Sequence, residues 1–189
     1  FVVNREHLEH SRLAAVLNEL APDSITVGIE PHQHGPVHTV LEALRVAPEV
    51  LSDDEPCFVN YCDFGFSWDP ARFEQFTERT RCAGAVLCYS GYHPEYLRPT
   101  LYAYCRTSND RVLEVREKGH FTDDRTREYA SSGSYYFRSG ALLRRYFDRL
   151  MKEGPLVGGE GYVSLAYNHL IADGLDVRVF EIPWFLQWG

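Results

Sequence analysis

Positive charge is in short supply along this 189-residue chain, where 19 Lys and Arg face 27 Asp and Glu for a formal net charge of -8. A surface of that sign opposes broad attraction to a nucleic-acid backbone or an anionic membrane, so neither partner is expected. A small anion is still admissible, because a pocket can gather Lys, Arg, backbone N–H groups or a metal whatever the net charge. Nothing in the sequence reads as a signal sequence or a long apolar span, so neither is expected. Its cysteines, Cys57, Cys62, Cys82, Cys88 and Cys105, are odd in number and follow no zinc-ligand spacing. They fall mostly in apolar runs, as reduced core thiols of a cytoplasmic protein do. Internal repeats, low-complexity tracts and Gly/Ser-rich linkers are lacking too, and the length suits one domain spanning 1–189.

What the chain does contain is alternation. "HLEHSRLAAVLNEL" spaces its leucines as one helix, closed by the turn residues of "APDS", and "SITVGIE" is a short strand. "GPVHTVLEALRVAPEVL" is a helix that tolerates Pro36 in its first turn. "PCFVNYC" is nearly continuous in apolar residues, the pattern of a strand buried on both faces of a parallel sheet. A helix over "DPARFEQFTERT", with Asp69 as N-cap, and a strand over "GAVLCYS" follow. Strand, helix, strand, helix, strand predicts an α/β fold with a Rossmann-like, three-layer, mainly parallel sheet. Beyond residue 100 strands predominate, which makes the sheet mixed. "SGALLRRYFDRLMKEG" and "GYVSLAYNHLIADG" are the remaining helices, closed by Gly154 and Gly174.

Three places carry candidate chemistry. Asp63 directly follows "FVNYC", and ligands of open α/β sheets bind beyond the carboxyl ends of parallel strands. A carboxylate there can hold a hard cation such as Mg²⁺, which takes one or two carboxylates together with phosphate oxygens; it can equally cap the next loop. In "GIEPHQHGPVHTV" a strand, a loop and Gly35 lead into a helix whose free N–H groups face the loop. His32, His34 and His38 in that stretch lack an HExxH pattern and read as solvated loop residues. Glu117 and Lys118 end a strand-like run and point to opposite faces unless the strand has already stopped. Gly133, inside "ASSGSYYF", marks a close approach to a ligand or a bulge.

In this order, "HGPVHTVLEAL", "FVNYCDF", "VREK", "SSGSYYF", "GGEGYVSLAYN" and the terminal "FLQWG" resemble the sugar nucleotidyltransferases, the NDP-sugar pyrophosphorylase family that includes glucose-1-phosphate thymidylyltransferase-like enzymes. The resemblance covers nearly the whole chain. It implies a GT-A-like nucleotide-diphospho-sugar transferase fold and transfer of a nucleotidyl group from a nucleoside triphosphate to a sugar 1-phosphate, within the biosynthesis of nucleotide sugars and polysaccharides. The implied roles are Asp63 on Mg²⁺, Gly35 against the nucleobase, and Glu117, Lys118, Gly133 and Glu160 at the sugar phosphate. The family's base-reading glutamine has Glu30 in its place, with Gln33 nearby as a substitute. The family's N-terminal glycine-rich loop with its lysine, and its continuation after "QWG", are not in the sequence, so the resemblance implies a portion of the enzyme. Two alternatives are a metal-dependent glycosyltransferase of related fold, disfavoured by the lack of an Asp-x-Asp cluster at Asp63, and a non-catalytic nucleotide-sugar-binding module. Self-association as a homo-oligomer is left open.

Overall fold

The run GAVLCY at residues 84–89 is buried at every position, and the molecule is assembled around it. The computed structural model describes residues 1–97 and 99–187, the side chain of Glu95 excepted. Trp188 and Gly189 of the "FLQWG" stretch lie outside the described residues. In chain order the elements are β1 Val2–Asn4, α1 Arg5–His10, α2 Leu13–Leu20, β2 Val27–Ile29, α3 Pro36–Val46, β3 Cys57–Asn60, β4 Phe64–Ser67, α4 Pro70–Thr80, β5 Gly84–Tyr89, β6 Tyr104–Ser108, β7 Arg111–Arg116, β8 Tyr129–Phe137, α5 Gly140–Glu153, α6 Val163–Ala172, β9 Val177–Glu181 and β10 Trp184–Gln187.

Six strands form the main sheet in the order β3-β8-β5-β9-β7-β6. Strand β6 also pairs with β8, through Tyr104 with Ala130 and Cys105 with Tyr129, so β8, β5, β9, β7 and β6 close into a five-stranded ring with β3 outside it. Side chains alternate across β5. Val86 and Cys88 join a core with Leu143, Phe147 and Leu150 of α5 and Ala166, Tyr167 and Leu170 of α6. Ala85, Leu87 and Tyr89 join a second core with Phe73 and Phe76 of α4, Phe180 of β9 and Phe185 of β10. The two-stranded pairs β1-β2 and β4-β10 stand outside the main sheet.

The α/β composition and the mixture of strand directions agree with the sequence reading, but a mainly parallel sheet does not. Within the main sheet β5-β9 is parallel, while β3-β8, β5-β8, β6-β7, β6-β8 and β7-β9 are antiparallel. The reason is local. Asn109, in the left-handed region at φ 55°, makes the turn that folds β7 back on β6, and a turn that short permits only an antiparallel pair. Strand β3 is likewise an edge strand paired to β8, not a central strand buried on both faces. Its residues alternate between half-buried and exposed, with Cys57 and Val59 toward the first core and Phe58 stacked edge-on against Trp68.

The first expected helix is two. Ser11 Oγ donates to the His7 carbonyl and accepts from Leu13 N–H, and this side-chain competition for the backbone separates α1 from α2. The α4 helix has its expected cap, since the Asp69 carboxylate accepts from the N–H groups of Ala71 and Arg72. Among the described residues no helix is long and apolar enough to cross a membrane.

Candidate active site

Strand β7 stops at Arg116, and the next two residues turn. Lys118 sits in the left-handed region at φ 53°, a conformation non-glycine residues adopt at a cost. The turn removes the strand's alternation, so Glu117 and Lys118 line the same cavity instead of opposite faces. Asn168 of α6 fixes this corner: its side-chain amide accepts from Val115 N–H at 2.8 Å and donates to the Val115 carbonyl at 2.8 Å, pinning β7 to the helix.

The cavity holds about 280 Å³ and is lined also by Tyr61, Asp63, Phe64, Gly133, Tyr162 and Phe185. Asp63 reaches it from the turn between β3 and β4, with an exposed carboxylate. Gly133 reaches it from an irregularity in β8. Leu87 of β5 pairs with Ser134 and Cys88 with Ser131, which leaves Ser132 and Gly133 bulged out of the ladder. The bulge is held on all sides, by Ser132 Oγ donating to the Leu87 carbonyl, Ser131 Oγ accepting from Gly133 N–H, and Tyr61 N–H donating to the Gly133 carbonyl. Gly133 has φ 84°, and a Cβ there would stand 2.5 Å from the Phe64 ring. Its glycine is therefore required by the bulge and by a packed ring, independently of its place on the cavity wall.

Electrostatically the cavity is acidic. Lys118 is the one cationic side chain lining it among the described residues, against Asp63 and Glu117. Burial pushes the Glu117 carboxyl above its usual range, opposed by the hydroxyl of Ser164, which donates to it, and by the nearby Lys118 charge. Lys118 is held above the usual lysine value chiefly by its hydrogen bond to Tyr162, with Nζ donating to the phenol oxygen at 2.7 Å. Burial, then the Glu117 charge, raises the Tyr61 phenol.

The other four candidates occupy different ground. Glu160 is tied to the cavity through Tyr162, whose hydroxyl donates to its carboxylate at 3.1 Å. Gly35, at φ 83°, lies under the same segment: a Cβ on it would meet Gly161 N at 2.8 Å and Glu160 Cβ at 2.9 Å. Gly161 N–H donates to the His34 carbonyl and Val37 N–H to the Gly161 carbonyl, so the loop before α3 and residues 158–161 are laced together. Glu30 does not line the cavity. It pairs with Arg5 at 3.2 Å and borders a separate cleft of about 160 Å³ with His32, His34, His38 and Glu42. Gln33 is exposed on the same loop. Of the three histidines, His34 is exposed as the loop reading expects, whereas His32 and His38 are half-buried. His38 packs edge-on against both of the others, at ring-centroid distances of 4.6 and 4.8 Å, and Thr39 Oγ1 bonds His32 Nε2 at 3.0 Å. Burial, then the neighbouring His38 and His34, lowers the His32 pKa.

A larger cavity, about 420 Å³, lies between α4 and β9, and its lining of Arg72, Arg79, Asp110 and Glu181 includes none of the sequence-predicted residues. Size therefore does not select the site; the convergence of Asp63, Glu117, Lys118 and Gly133 does.

Solved structures share this architecture. A nucleoside-diphosphate-sugar pyrophosphorylase from Vibrio cholerae RC9 superposes with a TM-score of 0.68 at 18% identity, over 90% of this chain and 68% of its own. The fold is that of the sugar nucleotidyltransferases. A protein described as a glucose-1-phosphate thymidylyltransferase from Bacillus anthracis, crystallised with a sucrose, has the same nucleotidyltransferase fold at a TM-score of 0.62 and 17% identity, over 93% of this chain and 66% of its own. The chain thus spans about two thirds of the length of each neighbour. No family model and no curated protein matches the sequence.

On this nucleotidyltransferase scaffold, sequence reasoning missed Tyr162, Tyr61, Phe64 and Phe185 as cavity residues. Tyr162 carried a signal, since it directly follows the Gly-Gly-Glu-Gly loop. Phe185 carried none, because it arrives through the pairing of β10 with β4. Among the described residues no group of three His, Cys, Asp or Glu side chains can hold a metal by itself. The donor set at Asp63 fits only a hard cation that takes most of its ligands from substrate oxygens.

Proposed function

We propose that the cavity transfers a nucleotidyl group from a nucleoside triphosphate to a sugar 1-phosphate, releasing pyrophosphate, on a GT-A-like three-layer scaffold. The observation that carries this reading is the meeting of Asp63, Glu117, Lys118 and Gly133 in one cavity of a chain with the nucleotidyltransferase fold. An oxygen of the sugar phosphate attacks the α-phosphorus in line; the new O–P bond forms as the bond to the β-phosphate oxygen breaks, and pyrophosphate leaves with the electron pair. No protein nucleophile takes part, so catalysis consists of positioning and charge neutralisation. Lys118 grips the sugar phosphate, Glu117 accepts hydrogen bonds from sugar hydroxyls, Glu160 stands beside the sugar, and the loop of Glu30, Gln33 and Gly35 receives the base. Asp63 would hold Mg²⁺, which supplies charge neutralisation on phosphate oxygens when bound. The five cysteines are all free, in keeping with a cytoplasmic enzyme of nucleotide-sugar and polysaccharide biosynthesis.

A second reading has an observation of its own. With Lys118 as the one cationic lining residue among the described residues, the cavity has little to offer a triphosphate, which favours a nucleotide-sugar-binding module without transfer. Pyrophosphate release, measured with a panel of nucleoside triphosphates and sugar 1-phosphates in Mg²⁺, separates the two. Transfer predicts turnover that Asp63→Ala abolishes while the circular dichroism spectrum is unchanged. Full turnover in Asp63→Ala would remove that residue from the mechanism; binding of an NDP-sugar without any turnover in the unmutated protein would select the binding module.

A further inference from the structure

The sequence contains two lysines, Lys118 and Lys152, among 19 basic residues. One of the two is the cation of the site, and a lysine is a flexible four-carbon stem that does not hold a single position without help. Help is visible on two sides of the ammonium. Its Nζ donates to the Tyr162 hydroxyl at 2.7 Å, and it also sits 4.7 Å from the centroid of the same ring, within range of a cation–π contact. The phenol in turn donates to Glu160 at 3.1 Å, which leaves its oxygen free to accept from the ammonium.

Tyr162 is itself anchored. It is the N-cap residue of α6, between the buried Gly161 and the buried Val163, and the Gly161 peptide is bonded to both His34 and Val37. A Cβ on Gly161 would lie 2.5 Å from Met151 Sδ, so this backbone is wedged in place. The backbone of Lys118, meanwhile, is already committed to a left-handed turn. Rigid support on one side and a strained turn on the other confine an otherwise mobile charge.

We infer that Tyr162 is a positioning residue: its ring and hydroxyl, braced by Glu160, hold the Lys118 ammonium at the mouth of the cavity for a phosphate monoester. The phosphate half of this inference rests on the proposed function; the hold of Tyr162 on Lys118 does not. An ammonium bonded to one phenol oxygen keeps two further N–H donors for a ligand. The contact therefore orients the charge without consuming it.

The scarcity of lysine makes the test direct. In protein labelled with isotopic lysine, two side-chain signals are expected, and Lys152→Arg assigns them. Tyr162→Phe, which keeps the ring and removes the hydroxyl, should lower the Lys118 titration toward the ordinary lysine range. Glu160→Gln should produce a smaller change in the same direction. With glucose 1-phosphate as probe, Tyr162→Phe should weaken binding about tenfold, equivalent to ~1.4 kcal/mol, and Tyr162→Leu more, while circular dichroism reports an intact fold. A Lys118 signal unmoved by Tyr162→Phe overturns the inference. If the unmutated protein fails to bind glucose 1-phosphate while its Lys118 signal still responds to Tyr162→Phe, the substrate reading falls and the positioning role stands.

Discussion

Gly133 shows how much one residue can carry. It combines φ 84° with a Cβ position 2.5 Å from the Phe64 ring, so Gly133→Ala meets both a backbone penalty and a steric one. Urea denaturation should show a loss of roughly 2–4 kcal/mol. Because the overlap is with a ring, adding Phe64→Leu should make the pair non-additive by about 1 kcal/mol. An alanine variant as stable as the parent would mean that the bulge relaxes freely. Glu117 makes the opposite point. Its carboxyl is raised by burial, so between its unfolded and folded pKa values the native state binds more protons than the unfolded chain. The stability tied to this group is therefore full below its unfolded value and is lost as pH rises through the folded one. Glu117→Gln keeps an acceptor for Ser164 and removes the buried charge. Its melting temperature should equal or exceed the parent's at pH 7, with the difference shrinking toward pH 4, while sugar-phosphate binding is lost; equal loss of stability at both pH values would refute the assignment. Some of these residue properties were readable in advance. Asp63 announces itself as a charge at the end of an apolar run, and Lys118 as half of a charge pair closing a strand-like one. Tyr162 had only its place after the Gly-Gly-Glu-Gly loop to mark it, because its value depends on an ammonium 44 positions away.

At the scale of elements, local signals performed well where the chain's own backbone decides the outcome. Asp69 caps α4 as its position predicts, and Asp69→Ala should cost about 1 kcal/mol in thermal or urea unfolding. A cost near zero would show that water satisfies those N–H groups equally well. The helix spacing of residues 7–20 was legible, but the break at Ser11 was not, since its hydroxyl bonds a carbonyl four residues back instead of facing solvent. Strand β3 was misread for a related reason. An apolar run tells how much of a strand is hydrophobic; it cannot tell whether the covering layer is a helix, a neighbouring strand, or the rings of Trp68 and Phe73 packed on Phe58. Glu117 and Lys118 share a cavity because β7 ends one residue before them, and no pattern in "VREKGH" fixes that boundary.

For the whole molecule, stability is unevenly spread. Helices α1 and α2 contain no buried residue, and β1 and β2 pair only with each other, whereas β5 is buried throughout and hydrogen-bonded to β8 and β9. Amide hydrogen exchange should accordingly find residues 5–20 opening first, with protection at least about a hundredfold below that of residues 84–89. Equal protection in the two regions would contradict this distribution of burial. The sequence on its own determined the α/β class, most helices and strands, and four of the residues that line the cavity. These depend on periodicity, capping and the placement of charge, which act over a few residues of chain. Tertiary structure alone decided that the strands pair mostly antiparallel, that β6 and β8 close a ring, that Glu30 and Gln33 lie outside the cavity, and that Tyr162 reaches Lys118. Each of these is a pairing between distant segments, set by which apolar faces bury one another when the chain folds, and that competition has no counterpart in any local stretch.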